Sequence, residues 1–183
     1  MKKWARVSAI LWVLLGAAVW VAAEPIASLH PSNYVNDFAG VLDAATQVRL
    51  NDLCRQVDEK AHAQIAVVTV DSTDGTPIGN YAHSLFNQWG IGHKGENNGM
   101  LVLLAIEGRK YYIAVGRGFE TLFPDERVAG IGAGMIPDLR RRRYAKAVLY
   151  TVDTIAGIIA KERGVKLDKL GGGSSTGAKD LQF

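Results

Sequence analysis

Seven consecutive residues without a polar side chain, Met100 to Ile106 (MLVLLAI), constrain this chain most. The run is too short for a buried helix and is bounded by Gly99 and by Glu107-Gly108. It therefore reads as a strand covered on both faces, at the centre of a sheet rather than at its edge. A second strand pattern follows the short turn, Tyr111 to Val115. Strands joined by so short a connection pair antiparallel, which brings their outer ends together. The loop before the first strand (GIGHKGENNG, from Gly90) and the loop after the second (GRGFETLFPD, to Asp125) are thus expected to meet at one edge of the sheet. Glycines, amides and carboxylates gather there. That is the chemistry of a hard cation or a phosphate, not of a nucleophile.

The flanking segments supply the covering layers. Asp43 is a plausible N-cap for an amphipathic helix from Ala44 to about Lys60, apolar at Leu50, Leu53, Cys54 and Val57. Ile65 to Val70 (IAVVTV) is β-branched and suits a strand buried on both faces. Asp74-Gly75 and Pro77 mark a turn, and Ile78 to Trp89 reads as a second helix with Tyr81, Leu85, Phe86 and Trp89 on one face, stopped by Gly90. A third helix is expected from Pro124-Asp125 to about Ile136, broken by Pro137. A last one runs from Tyr144 to about Lys161. Helix, strand, helix, hairpin and two helices give an α/β fold: a small mixed sheet with a central hairpin and helices packed on both faces, a three-layer sandwich.

The ends carry a different message. Residues 1–23 begin with Lys2, Lys3 and Arg6, continue as an apolar run from Val7 to Ala23 and end in small residues before Glu24. This is a secretory signal peptide or, at the short limit of a bilayer span, an uncleaved signal anchor that would tether the protein through residues 7–23. Either way the globular part is exported, to the periplasm or to the periplasmic face of a membrane. Those three cations account for the whole excess of 21 basic over 18 acidic residues, so the basic pI gives no support to nucleic-acid binding. Residues 24–33 read as an extended lead-in, 34–164 as one domain, and 165–183, with a Gly-Gly-Gly-Ser-Ser-Thr-Gly run, as a flexible tail.

Each motif has a bland account beside its functional one. Asn36-Asp37 ahead of Gly40 is turn chemistry. Glu96, Asn97 and Asn98 supply the oxygen ligand types of Ca²⁺ but not the spacing of an EF-hand loop, so a metal site would have to be assembled from separate loops. Gly116-Arg117-Gly118 lacks the third glycine of a dinucleotide fingerprint and more simply permits close backbone approach. Asp125 also suits the first turn of a helix. Arg140 to Arg143 form a charge run expected to be mostly solvated, with phosphate, carboxylate or anionic-lipid partners as the alternative. Cys54, the only cysteine, reads as a buried thiol. The four histidines show no paired zinc spacing, and His93 is the best titrating group near the loop edge, although a solvent-facing role is the simpler account. A G-x-S-x-G elbow, a P-loop and an HExxH pair are all absent.

With those residues in view, the chain resembles the TPM-domain family, which includes a thylakoid-lumen protein of photosystem II repair and many exported bacterial proteins. The blocks that carry the resemblance are YVNDFAGVLD, QIAVVTV, LFNQWGIGHKGENNGMLVLLA, YYIAVGRGFETLFPD and MIPDLRRRRYAKAV, in that order, over about residues 34–162. The resemblance implies an α/β sandwich, export, Ca²⁺ binding, acid phosphatase activity and a part in maintaining membrane complexes. Its acidic loops correspond here to Asp37, Asn97, Asn98, Glu120 and Asp125. The chain departs from the pattern where Asn97 and Asn98 replace a frequent aspartate, which weakens a divalent-cation site, since affinity rises with ligand charge. It departs again in its unbroken arginine block and its short tail.

The sequence thus supports three functional expectations. The first is an exported domain with a divalent-cation site, Ca²⁺ being the ion the resemblance implies, in which Asp37, Asn97, Asn98, Glu120 and Asp125 are ligands or stand behind the ligands, serving an envelope membrane protein complex. The second is a low-activity, metal-assisted phosphatase, with His93 or Asp125 as acid or base. The third is a protein-interaction module that uses the arginine block.

Overall fold

A computed structural model describes residues 26–168. The targeting segment over 1–23 and most of the tail lie outside the described residues. Four strands form one sheet: β1 (Val35–Asp37), β2 (Gln64–Val70), β3 (Gly99–Ala105) and β4 (Lys110–Val115), in that spatial order. The β1–β2 and β2–β3 pairs are parallel and β3–β4 is antiparallel. The helices are α1 (Ala44–Ala61), α2 (Ile78–Trp89), α3 (Asp125–Arg140) and α4 (Tyr144–Arg163). Among the described residues no helix is long and apolar enough to cross a membrane.

Alternation along the strands divides the core into two. Ile65 and Val67 of β2, Met100, Val102 and Leu104 of β3, and Ile113 of β4 pack with α1, α3 and α4. Ala66, Val68 and Val70, Leu101, Leu103 and Ala105, and Ala114 face the other way, against Tyr81, Ala82 and Leu85 of α2. Every residue of β3 is buried, as a strand roofed on both sides must be. The sandwich is therefore lopsided, with three helices on one face and one on the other.

Its topology has an unusual consequence. The crossovers β1–α1–β2 and β2–α2–β3 step the same way along the sheet, yet their helices lie on opposite faces. Two right-handed crossovers stepping in one direction would share a face, so one of the two belongs to the rare left-handed class.

Local chemistry sets most boundaries where the sequence puts them. Asp43 accepts a 2.8 Å hydrogen bond from the Thr46 amide as N-cap of α1, and these bonds hold its carboxyl below the usual carboxylate range. Gly90 ends α2 with φ +60°. Cys54 lies fully buried in α1, and burial pushes its thiol pKa up, which leaves it inert.

Three expectations need correction. The Tyr34–Gly40 segment is not turn alone, because Val35–Asp37 add to β2 as a short edge strand before the turn begins. The lead-in is not simply extended. Ile26–Ser28 form a 3-10 turn, Leu29 is buried in the α2-side core, and its carbonyl accepts from the Trp89 indole at 3.0 Å. Pro137 does not break α3, which continues to Arg140. A proline so near the C-terminus forfeits one hydrogen bond. The buried Met135 and Asp138 on either side hold the last turn, and the Asp138 carbonyl accepts from the Arg141 and Arg143 amides at 3.1 and 2.9 Å. Arg143 also ion-pairs with the Asp138 carboxylate, so this member of the arginine block is tied into the α3–α4 corner.

Gly130 lies mid-α3, exposed, with nothing within 4 Å of where a Cβ would stand. Gly130→Ala is expected to raise stability by about 0.5–1 kcal/mol through the smaller entropy of the unfolded chain, read as a higher urea midpoint at unchanged slope.

Candidate functional site

The hairpin brings its two flanking loops together, as its sequence requires. The Gly116 amide donates to the Gly99 carbonyl at 2.8 Å and the Gly118 amide to the Asn97 carbonyl at 3.0 Å. A Cβ on Gly116 would collide with the Asn97 carbonyl, and one on Gly118 with the Glu96 carbonyl. These glycines serve close backbone approach, and the Gly-Arg-Gly block is a clasp between loops.

Within the 90–98 loop, the His93 carbonyl accepts from the Glu96 and Asn97 amides, both at 3.1 Å. Asn98 is buried, and its side chain is fully committed. Its Oδ1 accepts from the His93 amide at 2.9 Å, and its Nδ2 donates to the Glu96 carboxylate at 2.8 Å and to the His62 carbonyl. Asn98 therefore builds the loop: it is buried, and its Oδ1 is already turned to the His93 amide. Asn97 stands beside it, exposed, with φ +51°.

Of the five residues expected to converge, the structure brings Asn97, Asn98 and the Glu120 loop to one edge and removes Asp37 from it. Asp37 pairs with Thr69, whereas Gln64, at the other end of β2, pairs with Gly99. At about 3.3 Å per residue that separation is roughly 16 Å. Asp37 is occupied there as a loop organiser. Its carboxylate accepts from the Val41 amide at 3.1 Å, the Leu42 amide at 2.8 Å, the Gln47 side chain at 3.4 Å and the Thr69 hydroxyl. Glu120 and Asp125 are exposed and line an open groove of about 810 Å³ beside β4. Among the described residues, no three His, Cys, Asp or Glu side chains converge as a metal-holding group. A cation at the clasp would need amide oxygens and water to complete its shell.

The structure also assembles a hydrogen-bonded chain that sequence reasoning missed. His93 is not simply solvent-facing, since its Nε2 lies 2.7 Å from Asp58 Oδ1. Asp58 Oδ2 accepts from the Tyr34 hydroxyl, and the His62 ring meets His93 edge-on with centroids 5.7 Å apart. Burial and the Asp58 carboxylate push the Tyr34 phenol well above its ordinary range. A carboxylate that orients an imidazole is a common device of acid–base sites, but among the described residues no hydroxyl or thiol is hydrogen-bonded to this imidazole as a nucleophile would be. The available signal was the Asp58/His62 spacing of i, i+4 at the end of α1.

With fold and loop edge described, comparison with known proteins places the chain. The family model for the TPM domain matches residues 35–158, and the chain belongs to the TPM-domain family. Among solved structures it is similar to the N-terminal domain of a P. gingivalis protein, with 28% identity, a TM-score of 0.67, and coverage of 74% of this chain and 87% of that one. It is similar in fold to the N-terminal domain of the cg2496 protein from Corynebacterium glutamicum, at 18% identity, TM-score 0.56 and coverage of 89% and 93%. The same holds for the BA42 protein of the psychrophilic Bizionia argentinensis, at 16% identity, TM-score 0.58 and coverage of 66% and 82%. No functionally curated protein matches the chain.

Proposed function

We propose that this protein is an exported TPM-domain accessory factor for envelope membrane complexes, with a weak divalent-cation site at the clasp between its two loops. The observation that supports the site is the seating of the Asn97 loop on the Gly116–Glu120 loop, which sets an exposed amide beside a segment carrying Glu120 and Asp125. The proposed ligands are Asn97, Glu120 and Asp125, with Asp37 and Asn98 as structural residues. So few charges suit an affinity of about 10⁻⁴–10⁻³ M. Export is supported by the composition of residues 1–23.

The test is a thermal melt of the full chain after chelator treatment, with Ca²⁺ added stepwise. The melting temperature should rise, by about 2.7 kcal/mol of stability at a hundredfold excess over Kd. Asp125→Asn should abolish the rise, with only the small loss in chelator, under about 1 kcal/mol, that follows from removing an acid in the first turn of α3. A wild-type melt indifferent to Ca²⁺ refutes the site.

A second reading, a metal-assisted phosphatase, draws on the Asp58-oriented His93. With no nucleophile beside it, hydrolysis would have to use water oriented by the cation. Turnover of a phosphomonoester that vanishes in both Asp125→Asn and His93→Gln would support it. Turnover that survives both changes would belong to a contaminant.

A further inference from the structure

The sheet has two edges, and they are treated differently. The β1 edge is three residues long, and its central Asn36 is buried with its side chain bonded to Ser32 and to the Asn33 carbonyl. The β4 edge is twice that length, Lys110–Val115. The Gly116–Gly99 hydrogen bond fixes which residues of β4 bond to β3. By the alternation of an antiparallel ladder, Lys110, Tyr112 and Ala114 face β3, whereas Tyr111, Ile113 and Val115 turn their N–H and C=O groups outward. Among the described residues nothing accepts from or donates to these outward groups.

They open into the groove of about 810 Å³. One wall is Tyr112 with His83 of α2, whose Nε2 lies 3.2 Å from the Tyr112 hydroxyl. The other runs from Phe123 and Pro124 into the start of α3, as far as Ala129. Glycines let the walls come close. A Cβ on Gly132 of α3 would stand 2.6 Å from the Tyr111 ring, and one on Gly79 of α2 would stand 3.2 Å from the Tyr112 ring. An unpaired edge with a wall on either side has the geometry of a slot for a strand. Its charge is one-sided: Glu120, Asp125 and Glu126 line it, and among the described residues no lysine or arginine does.

We propose that this groove is a docking site for an extended, basic segment of another protein, which adds to β4 as a fifth strand. Outward amides at alternate residues give backbone hydrogen bonds, and the pockets on either side read alternate side chains of the added strand. One set lies against Tyr112 and His83. The other lies against Asp125 and Glu126, where lysine or arginine is favoured. The proposal goes beyond the cation site and does not depend on it.

The probe is a labelled hexapeptide of alternating lysine and valine, titrated into the full chain with EDTA present so that no divalent cation contributes. Saturable binding is expected, with amide exchange at Tyr111, Ile113 and Val115 slowed about tenfold or more in the complex. The glutamate–valine counterpart should bind at least about tenfold more weakly, and Glu126→Lys should narrow that preference. Backbone N-methylation on the peptide face that meets β4 should abolish binding. So should Val115→Pro, which removes an outward N–H that β3 does not use and is tolerated on an edge. Absence of binding, equal binding of the acidic or N-methylated peptides, or unchanged exchange at the three amides overturns the proposal. Self-association of the chain that Val115→Pro abolishes, without peptide binding, would assign the edge to a second copy and also overturn it.

Discussion

Gly116→Ala is expected to cost about 3 kcal/mol of stability, although it adds only one methyl group, at the buried residue that follows β4. Gly116 has φ −71° and ψ 151°, which alanine adopts without strain, so the penalty does not come from lost conformational freedom. It comes from what lies opposite. The new Cβ would overlap the Asn97 carbonyl and stand 3.0 Å from the Gly99 carbonyl. Both obstacles are backbone, and neither can step aside by changing rotamer. Relief requires the two loops to separate, which breaks the Gly116–Gly99 and Gly118–Asn97 hydrogen bonds. Each is worth about 1 kcal/mol net, and overpacking itself costs about 1–3 kcal/mol. Urea unfolding would read the loss as a lower midpoint at unchanged slope. A loss under about 1 kcal/mol would mean that the loops are not clasped through these glycines. Because Asn97 and Glu120 sit on either side of the clasp, the same variant should also lose any stabilisation by Ca²⁺, whereas Gly130→Ala should retain it.

The clasp was legible because it follows from local rules. An apolar strand, a short turn and a second strand force an antiparallel pair, and the pair forces its ends together. The caps of α1 and α2 were legible for the same reason, since Asp43 and Gly90 act on the backbone within a few residues. What escaped depends on partners distant in sequence. Val35–Asp37 is too short to show an alternating pattern and becomes a strand only because β2 lies beside it. The opposite hands of the two crossovers leave no trace in periodicity, because an amphipathic helix reads alike on either face of a sheet. Pro137 was over-read because its effect depends on how much of the helix follows it. The Tyr34–Asp58–His93 chain joins three elements, and only the Asp58/His62 spacing hinted at it. The outward edge of β4 becomes visible only once the register is known.

Asp37→Ala tests the largest revision that the structure makes to the cation site. The expected loss is about 3 kcal/mol, the same in chelator as in Ca²⁺. The parallel pairing of β1 with β2 carries Asp37 to the edge opposite the clasp, so its carboxylate cannot act with Asn97 or Glu120. There it accepts from two backbone amides, the Gln47 side chain and the Thr69 hydroxyl, whose residue is fully buried. Removing it strands the amides of Val41 and of the buried Leu42, just ahead of the Asp43 cap of α1. Donors left without a partner cost about 1–3 kcal/mol each when buried, less where water can reach them. Asp37→Asn keeps one acceptor but turns an NH₂ group toward donors, so an intermediate loss of about 1–2 kcal/mol is expected. Asp125→Asn should behave in the opposite way, with little change in chelator and a loss of the Ca²⁺ response. If the cost of Asp37→Ala instead appeared only when Ca²⁺ was present, Asp37 would have to hold the ion at its own edge of the sheet, and the clasp would be a structural joint alone.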